Sequence, residues 1–187
     1  MSWLSGKYAP AVEAYVDGIL CGTIIANRDR ILAAQRFKRM ITAGVYDVRP
    51  KDADFVIGII ESMLAHRQGE KLDGSPLRGT ALYLEPWEKF CVYGMLCFYH
   101  PGTQERVVKE ALIYIPRKNG KTAFVSSLSF ALGLLERRSG SKIYVVGAAL
   151  KQARETFDNW LYNVSRYMYS SRKEAEQDGW RILDNSF

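Results

Sequence analysis

The sequence predicts an α/β protein with a helical N-terminal extension. Two unbroken apolar runs, residues 111–115 and 143–148, have the composition of strands buried on both faces. Each is followed at a short distance by a segment of helical character, and the first hundred residues read as helical. Strand, helix, strand, helix with short connections makes a right-handed parallel unit.

The elements follow in order. Ala9, Val12, Val16 and Ile19 recur at three- and four-residue steps, predicting a helix that ends near Gly22. Asn27 is suited to cap a second helix, with Ile31, Ala34, Phe37 and Ile41 on one face and Arg28, Arg30, Arg36, Lys38 and Arg39 on the other. Pro50 opens an amphipathic helix through Val56, Ile57, Ile60, Met63 and Leu64. Gly69 and Asp73-Gly74-Ser75-Pro76 predict a loop, and Pro86 the start of another helix that stops at His100-Pro101-Gly102. After the first apolar run and a polar turn, residues 122–137 predict a helix apolar nearly all round, broken at Ser139-Gly140-Ser141. The second apolar run then leads to a helix over 151–169. The boundary is expected near residue 80, with 1–80 as the extension and 81–187 as the core.

Composition narrows the class. With 48% hydrophobic and 25% charged residues the chain can bury a core, and no run approaches the roughly 18 apolar residues of a membrane span. The opening residues lack the basic-then-apolar pattern of a secretory signal. Of the formal charge of +6, residues 1–100 hold 12 basic and 11 acidic side chains, and residues 101–187 hold 14 and 9. A basic C-terminal part suits a polyanion such as nucleotide or DNA, and equally suits a solvated basic surface. Cys21, Cys91 and Cys97 are odd in number and lack metal or disulfide spacing, so Cys91 and Cys97 are expected in the core. His66 and His100 have no partner at a metal-ligand spacing.

The chemistry lies in the turn after the first apolar run, Arg117-Lys118-Asn119-Gly120-Lys121-Thr122. A phosphate-binding loop needs backbone N–H groups converging at a helix N-terminus, a lysine, and a hydroxyl for magnesium. Gly120-Lys121-Thr122 provides that ending between a predicted strand and a predicted helix. Gly120 would let the backbone approach phosphate, Lys121 would reach the β- and γ-phosphates, and Thr122 would ligate Mg²⁺. The usual first glycine is absent, its position being Ile115, so the pattern is matched by context rather than letter.

Residues 115–122, Ile-Pro-Arg-Lys-Asn-Gly-Lys-Thr, resemble the phosphate loop of the large terminase subunits of tailed double-stranded DNA phages. That family tolerates loss of the first glycine and carries an arginine four residues before the lysine, as Arg117 stands here. Leu84-Glu85-Pro86-Trp87-Glu88 is similar to the family's adenine-side segment, and Ala148-Ala149 with Gln152-Ala153 to the segment after its second strand. Tyr15-Val16-Asp17-Gly18, Ile25-Ala26-Asn27 and Arg36 are similar to its N-terminal helices, so the likeness runs from about Tyr8 to Phe157.

The resemblance implies a partial P-loop NTPase parallel sheet with helices on both faces, using ATP and Mg²⁺. It implies Lys121 and Arg117 as catalytic residues, with Arg117, Lys118, Asn119, Gly120, Lys121, Thr122, Trp87 and Glu88 holding nucleotide and Thr122 holding the metal. Arg117 would sense the γ-phosphate, because a guanidinium binds phosphate oxygens bidentately. Implied partners are double-stranded DNA, the portal protein and the small terminase subunit, in a ring of identical subunits without a membrane. The implied place is the host cytoplasm, with transient docking on the capsid portal.

Two departures qualify these expectations. Glu88 stands where the family has glutamine; an ionised carboxylate only accepts hydrogen bonds, so it keeps at most a contact to the adenine amino group. Alternatively Glu88 is a solvated residue of a helical first turn. After Phe157 nothing matches the family's strand with paired Asp-Glu or its nuclease domain, so a chain that binds nucleotide without efficient hydrolysis is expected. Rival readings are a piece of another phosphate-loop ATPase, such as a helicase, and a non-catalytic partner-binding module.

Overall fold

The expected helices form where apolar spacing and caps place them. In this computed structural model, which describes residues 2–71, 73–116, 119–136, 142–181 and 183, α1 spans Ala9–Leu20, α2 Arg28–Thr42 and α3 Pro50–Met63. Asn27 caps α2, its side-chain oxygen accepting from the Arg30 N–H at 3.0 Å. The next helix, α4, spans Pro86–Leu96, with proline at its first position and a reciprocal capping box between Glu85 and Glu88. Later come α5 (Lys121–Leu135), α6 (Leu150–Tyr162), a π-helical turn over Asn163–Met168, and α7 (Arg172–Gln177). The chain divides into two units interleaved in sequence, Met1–Ile57 with Leu84–Ile113, and Gly58–Tyr83 with Tyr114–Phe187.

In the first unit α1 packs on α2 and α4. Val12, Val16, Val56, Ile57 and Val92 are all fully buried, each contributing about 1.5–3 kcal/mol by leaving water. Phe37 sits edge-on to Trp3, Phe90 and Phe98, with ring centroids 5.1–6.2 Å away. A short antiparallel ladder joins β1 (Asp47–Val48) to β2 (Phe98–Tyr99), pairing Asp47 with Tyr99 and Val48 with Phe98. Asp54 ties down the N-terminus: it accepts from the backbone N–H groups of Lys7 at 2.7 Å and Tyr8 at 3.1 Å, and from the Tyr93 hydroxyl at 2.5 Å. Cys97 is buried and Cys91 half-buried, and burial pushes both thiols up, Cys91 to about 11.

In the second unit α5 packs on α6. Phe124, Leu128, Phe130 and Ala131 of α5 are buried, as are Trp160 of α6 and Val164 of the π-helical turn, while Trp180 stacks on Phe130 at 6.1 Å. The Trp160 indole N–H donates to the Ser126 carbonyl at 2.7 Å, binding α6 to α5. Asn163, in the π-helical turn, accepts from the Ala65 N–H at 2.7 Å and donates to the Asn159 carbonyl at 2.9 Å and the Ala65 carbonyl at 3.4 Å. This holds the loop after α3 against the α6 end of the unit.

The two apolar runs depart from expectation. Among the described residues neither 111–115 nor 143–148 joins a ladder, and Leu112, Tyr114 and Val146 are more than 90% exposed. An unbroken apolar run is covered on both faces only when strands lie alongside it, and no described strand pairs with either run. The chain is therefore helix-rich with one small antiparallel sheet, compatible with the α/β class but without a parallel sheet among its described residues. The breaker at 139–141 lies outside the described residues.

Candidate phosphate site

The start of α5 presents backbone donors at a helix N-terminus. Gly120 is its N-cap, at φ 72° and ψ 5° in the left-handed region, a conformation that costs an L side chain about 1–2 kcal/mol. The first intrahelical bond runs from the Phe124 N–H to the Gly120 carbonyl at 2.9 Å. The N–H groups of Lys121, Thr122 and Ala123 precede that bond; among the described residues no side-chain cap is formed, and no acidic residue stands in the first turn. These donors and the positive end of the helix dipole point at one place. Asn119 donates from Nδ2 to the Pro116 carbonyl at 3.4 Å, bracing the turn that leads in.

Lys121 and Thr122 are exposed, and among the described residues their ammonium and hydroxyl have no partner. The donor set fits a magnesium–triphosphate: uncapped amides and an ammonium for the phosphates, and one hard hydroxyl oxygen for the ion. Among the described residues no cluster of His, Cys, Asp or Glu could hold a metal alone, so a magnesium ion here would take its other oxygens from phosphate and water. Arg117 and Lys118, expected in the same turn, lie outside the described residues.

Beside this turn lies a cavity of about 50 Å³ with both polar and apolar lining residues. Thr122, Ala123, Ser126 and Ser127 of α5 form one wall, Asn159, Trp160 and Asn163 another, and the segment from Leu64 to Gln68 with Leu82 the third. Asn163 fixes Ala65, and His66 is held by its N–H to the Thr80 carbonyl at 3.0 Å and its carbonyl from the Gly79 N–H at 2.8 Å. Burial lowers the pKa of the His66 imidazole, which favours its neutral form. None of the residues from 64 to 68 carries a local signal of function in the sequence; contacts across almost a hundred positions bring them to α5 and α6.

Trp87 and Glu88 belong to the first unit, in the first turn of α4. Glu88 is only 8% exposed, so it is not a solvated first-turn residue. Its Oε2 accepts from the Glu85 N–H at 2.8 Å, and burial is the main cause of a carboxyl pKa raised above the ordinary range. The loop and the Trp87-Glu88 pair thus sit in different units.

A family model described as the terminase large subunit, ATPase domain, matches residues 86–184, more than half of the chain. The chain belongs to the terminase large subunit family. No curated protein and no solved structure matches it. The matched span includes Trp87, Glu88 and the whole loop from Arg117 to Thr122. Terminase membership carries a role in phage DNA packaging, and an ATPase domain carries the use of nucleotide. Among the described residues, no helix is long and apolar enough to cross a membrane.

Proposed function

We propose that the chain is the ATP-binding part of a phage packaging motor, in which ATP hydrolysis drives double-stranded DNA into a capsid. The carrying observation is the uncapped N-terminus of α5, with left-handed Gly120 ahead of exposed Lys121 and Thr122, inside the span matched by the terminase ATPase domain. In this reading the amides of the first turn, Asn119 and Lys121 hold the triphosphate. Thr122 holds magnesium, Arg117 meets the γ-phosphate, and Lys118 adds positive charge. When bound, magnesium neutralises charge between the β- and γ-phosphates. Trp87 supports the adenine side, and Glu88 is an acceptor-only substitute for the family's glutamine.

Residues 111–115 and 143–148, with their exposed Leu112, Tyr114 and Val146, are the strands of the parallel sheet in the assembled ATPase core. The working partners are DNA, the portal protein, the small terminase subunit and further copies of the chain in a ring, in the host cytoplasm at the capsid portal. Among the described residues no carboxylate lines the cavity beside the loop, and phosphoryl transfer depends on a residue that orients the attacking water. The chain accordingly binds the triphosphate and turns it over slowly. Titration with ATP, with and without magnesium, tests this reading on the parent and on Lys121→Ala. Magnesium-dependent binding that Lys121→Ala removes, with an unchanged circular dichroism spectrum, supports it; equal binding by both proteins refutes it and favours a non-catalytic module.

A further inference from the structure

Arg67 is not part of the phosphate loop, yet it lines the same cavity as Thr122 and Ala123. Its Nε is buried with no hydrogen-bond partner, a rare condition for a donor of this strength. Among the described residues its ion-pair partner is Asp158, whose Oδ2 lies 3.7 Å from Nη1. That is an ion pair without the 2.7–2.9 Å spacing of a charge-assisted hydrogen bond. Asp158 is shared with Arg154 of its own helix, at 3.8 Å, so releasing Arg67 leaves the carboxylate neutralised. The backbone that carries Arg67 is fixed through Ala65 and His66 by the bonds to Asn163, Thr80 and Gly79. Arg67 therefore lines the cavity with its Nε unsatisfied and only a loose tie at Nη1.

The cavity, about 50 Å³, has room for about three to five waters. One tetrahedral phosphoryl group matches that size, and a nucleobase does not. Thr122 is among its lining residues, and the phosphate-loop reading places Thr122 on the magnesium side of the β- and γ-phosphates.

We propose that Arg67 is a second arginine of the nucleotide site, exchanging Asp158 for a terminal-phosphate oxygen of a bound nucleoside triphosphate. It rests on the phosphate-loop reading and adds to it a cation from a segment far from the loop in sequence. Planar donors suit the three oxygens of a terminal phosphoryl group, which a diphosphate lacks at that place.

The test is a set of paired ATP and ADP titrations with magnesium at one salt concentration. Arg67→Gln, which keeps length and loses charge, should weaken ATP binding about ten- to a hundredfold and ADP binding less than about threefold. Asp158→Asn should leave ATP affinity equal or higher, since it removes the competing anion. Equal losses for both nucleotides, or none for either, overturn the proposal. Should Arg67→Gln fail to fold, Arg67→Lys decides: an ATP-selective loss supports the fork, and parental affinity for ATP overturns it. Lys121→Ala separates the two failures. If it abolishes ATP binding while the Arg67 variants are silent, only the Arg67 proposal falls; if it too binds like the parent, the phosphate-loop reading falls.

Discussion

Replacing Asn163 by alanine should break the tie between the loop after α3 and the end of α6. Asn163 is 6% exposed and Ala65 is 2% exposed, so water cannot readily replace what the side chain supplies. The variant loses one acceptor for the Ala65 N–H and the two contacts donated by Nδ2. The bond to the Ala65 N–H dominates, because its loss leaves a buried donor unpaired at a cost of about 1–3 kcal/mol. Adding about 1 kcal/mol for the remaining neutral bonds gives a destabilisation of about 2–4 kcal/mol. For a chain of this size that lowers the melting temperature by about 5–15 °C. The assay is thermal melting by circular dichroism, joined to amide hydrogen exchange at Ala65. Protection at Ala65 should fall in the variant more than protection in α1. Unchanged melting and unchanged exchange at Ala65 would refute the assignment of this side chain as the tie.

Other consequences follow from single residues. Gly120→Ala should cost about 1–2 kcal/mol from backbone strain alone, because a Cβ there meets no atom within 4 Å; urea melts give the stability. A larger loss in ATP affinity than in stability would place phosphate against that position. Glu88 has a raised folded pKa, so between the ordinary carboxyl range and that raised value its ionisation destabilises the fold, and stability falls as pH rises through that window. Glu88→Gln keeps an acceptor for the Glu85 N–H, so it should remove this slope and melt no lower than the parent at neutral pH; a steeper slope contradicts it. Cys21 is exposed, with its thiol lowered mainly by a hydrogen bond to Thr23, whereas burial raises Cys91 and Cys97. Alkylation followed by mass spectrometry should mark Cys21 first and Cys97 only on unfolding.

Helix positions were legible because their signals are local. Asn27 ahead of α2, Pro50 at α3 and Pro86 at α4 act within one turn of themselves, and the structure places those helices accordingly. The ladder of Asp47–Val48 with Phe98–Tyr99 was not legible, since two-residue strands far apart in the sequence leave no period to read. Residues 111–115 and 143–148 show the limit of composition: an apolar run states a preference for burial but not the neighbours that would satisfy it. The site divides the same way. Gly120-Lys121-Thr122 stands out in the sequence as a motif ahead of an expected helix, and the structure places it at the start of α5. Arg67, His66 and Asn163 could not, because only the packing of the 64–68 loop against α5 and α6 brings them to the cavity. Glu88 carried a double signal, a helix first turn and a family position; the structure shows its carboxylate engaged in the capping box.

The central claim is that the uncapped first turn of α5 receives phosphate, and backbone amide chemical shifts test it residue by residue. Titrating isotope-labelled chain with magnesium–ATP should move the amide resonances of Gly120, Lys121, Thr122 and Ala123 most, with smaller shifts in the Leu64–Gln68 wall of the cavity. Lys121→Ala should abolish those shifts while leaving the rest of the spectrum in place. Saturable ATP-dependent shifts elsewhere, with 120–123 unmoved, would contradict the account.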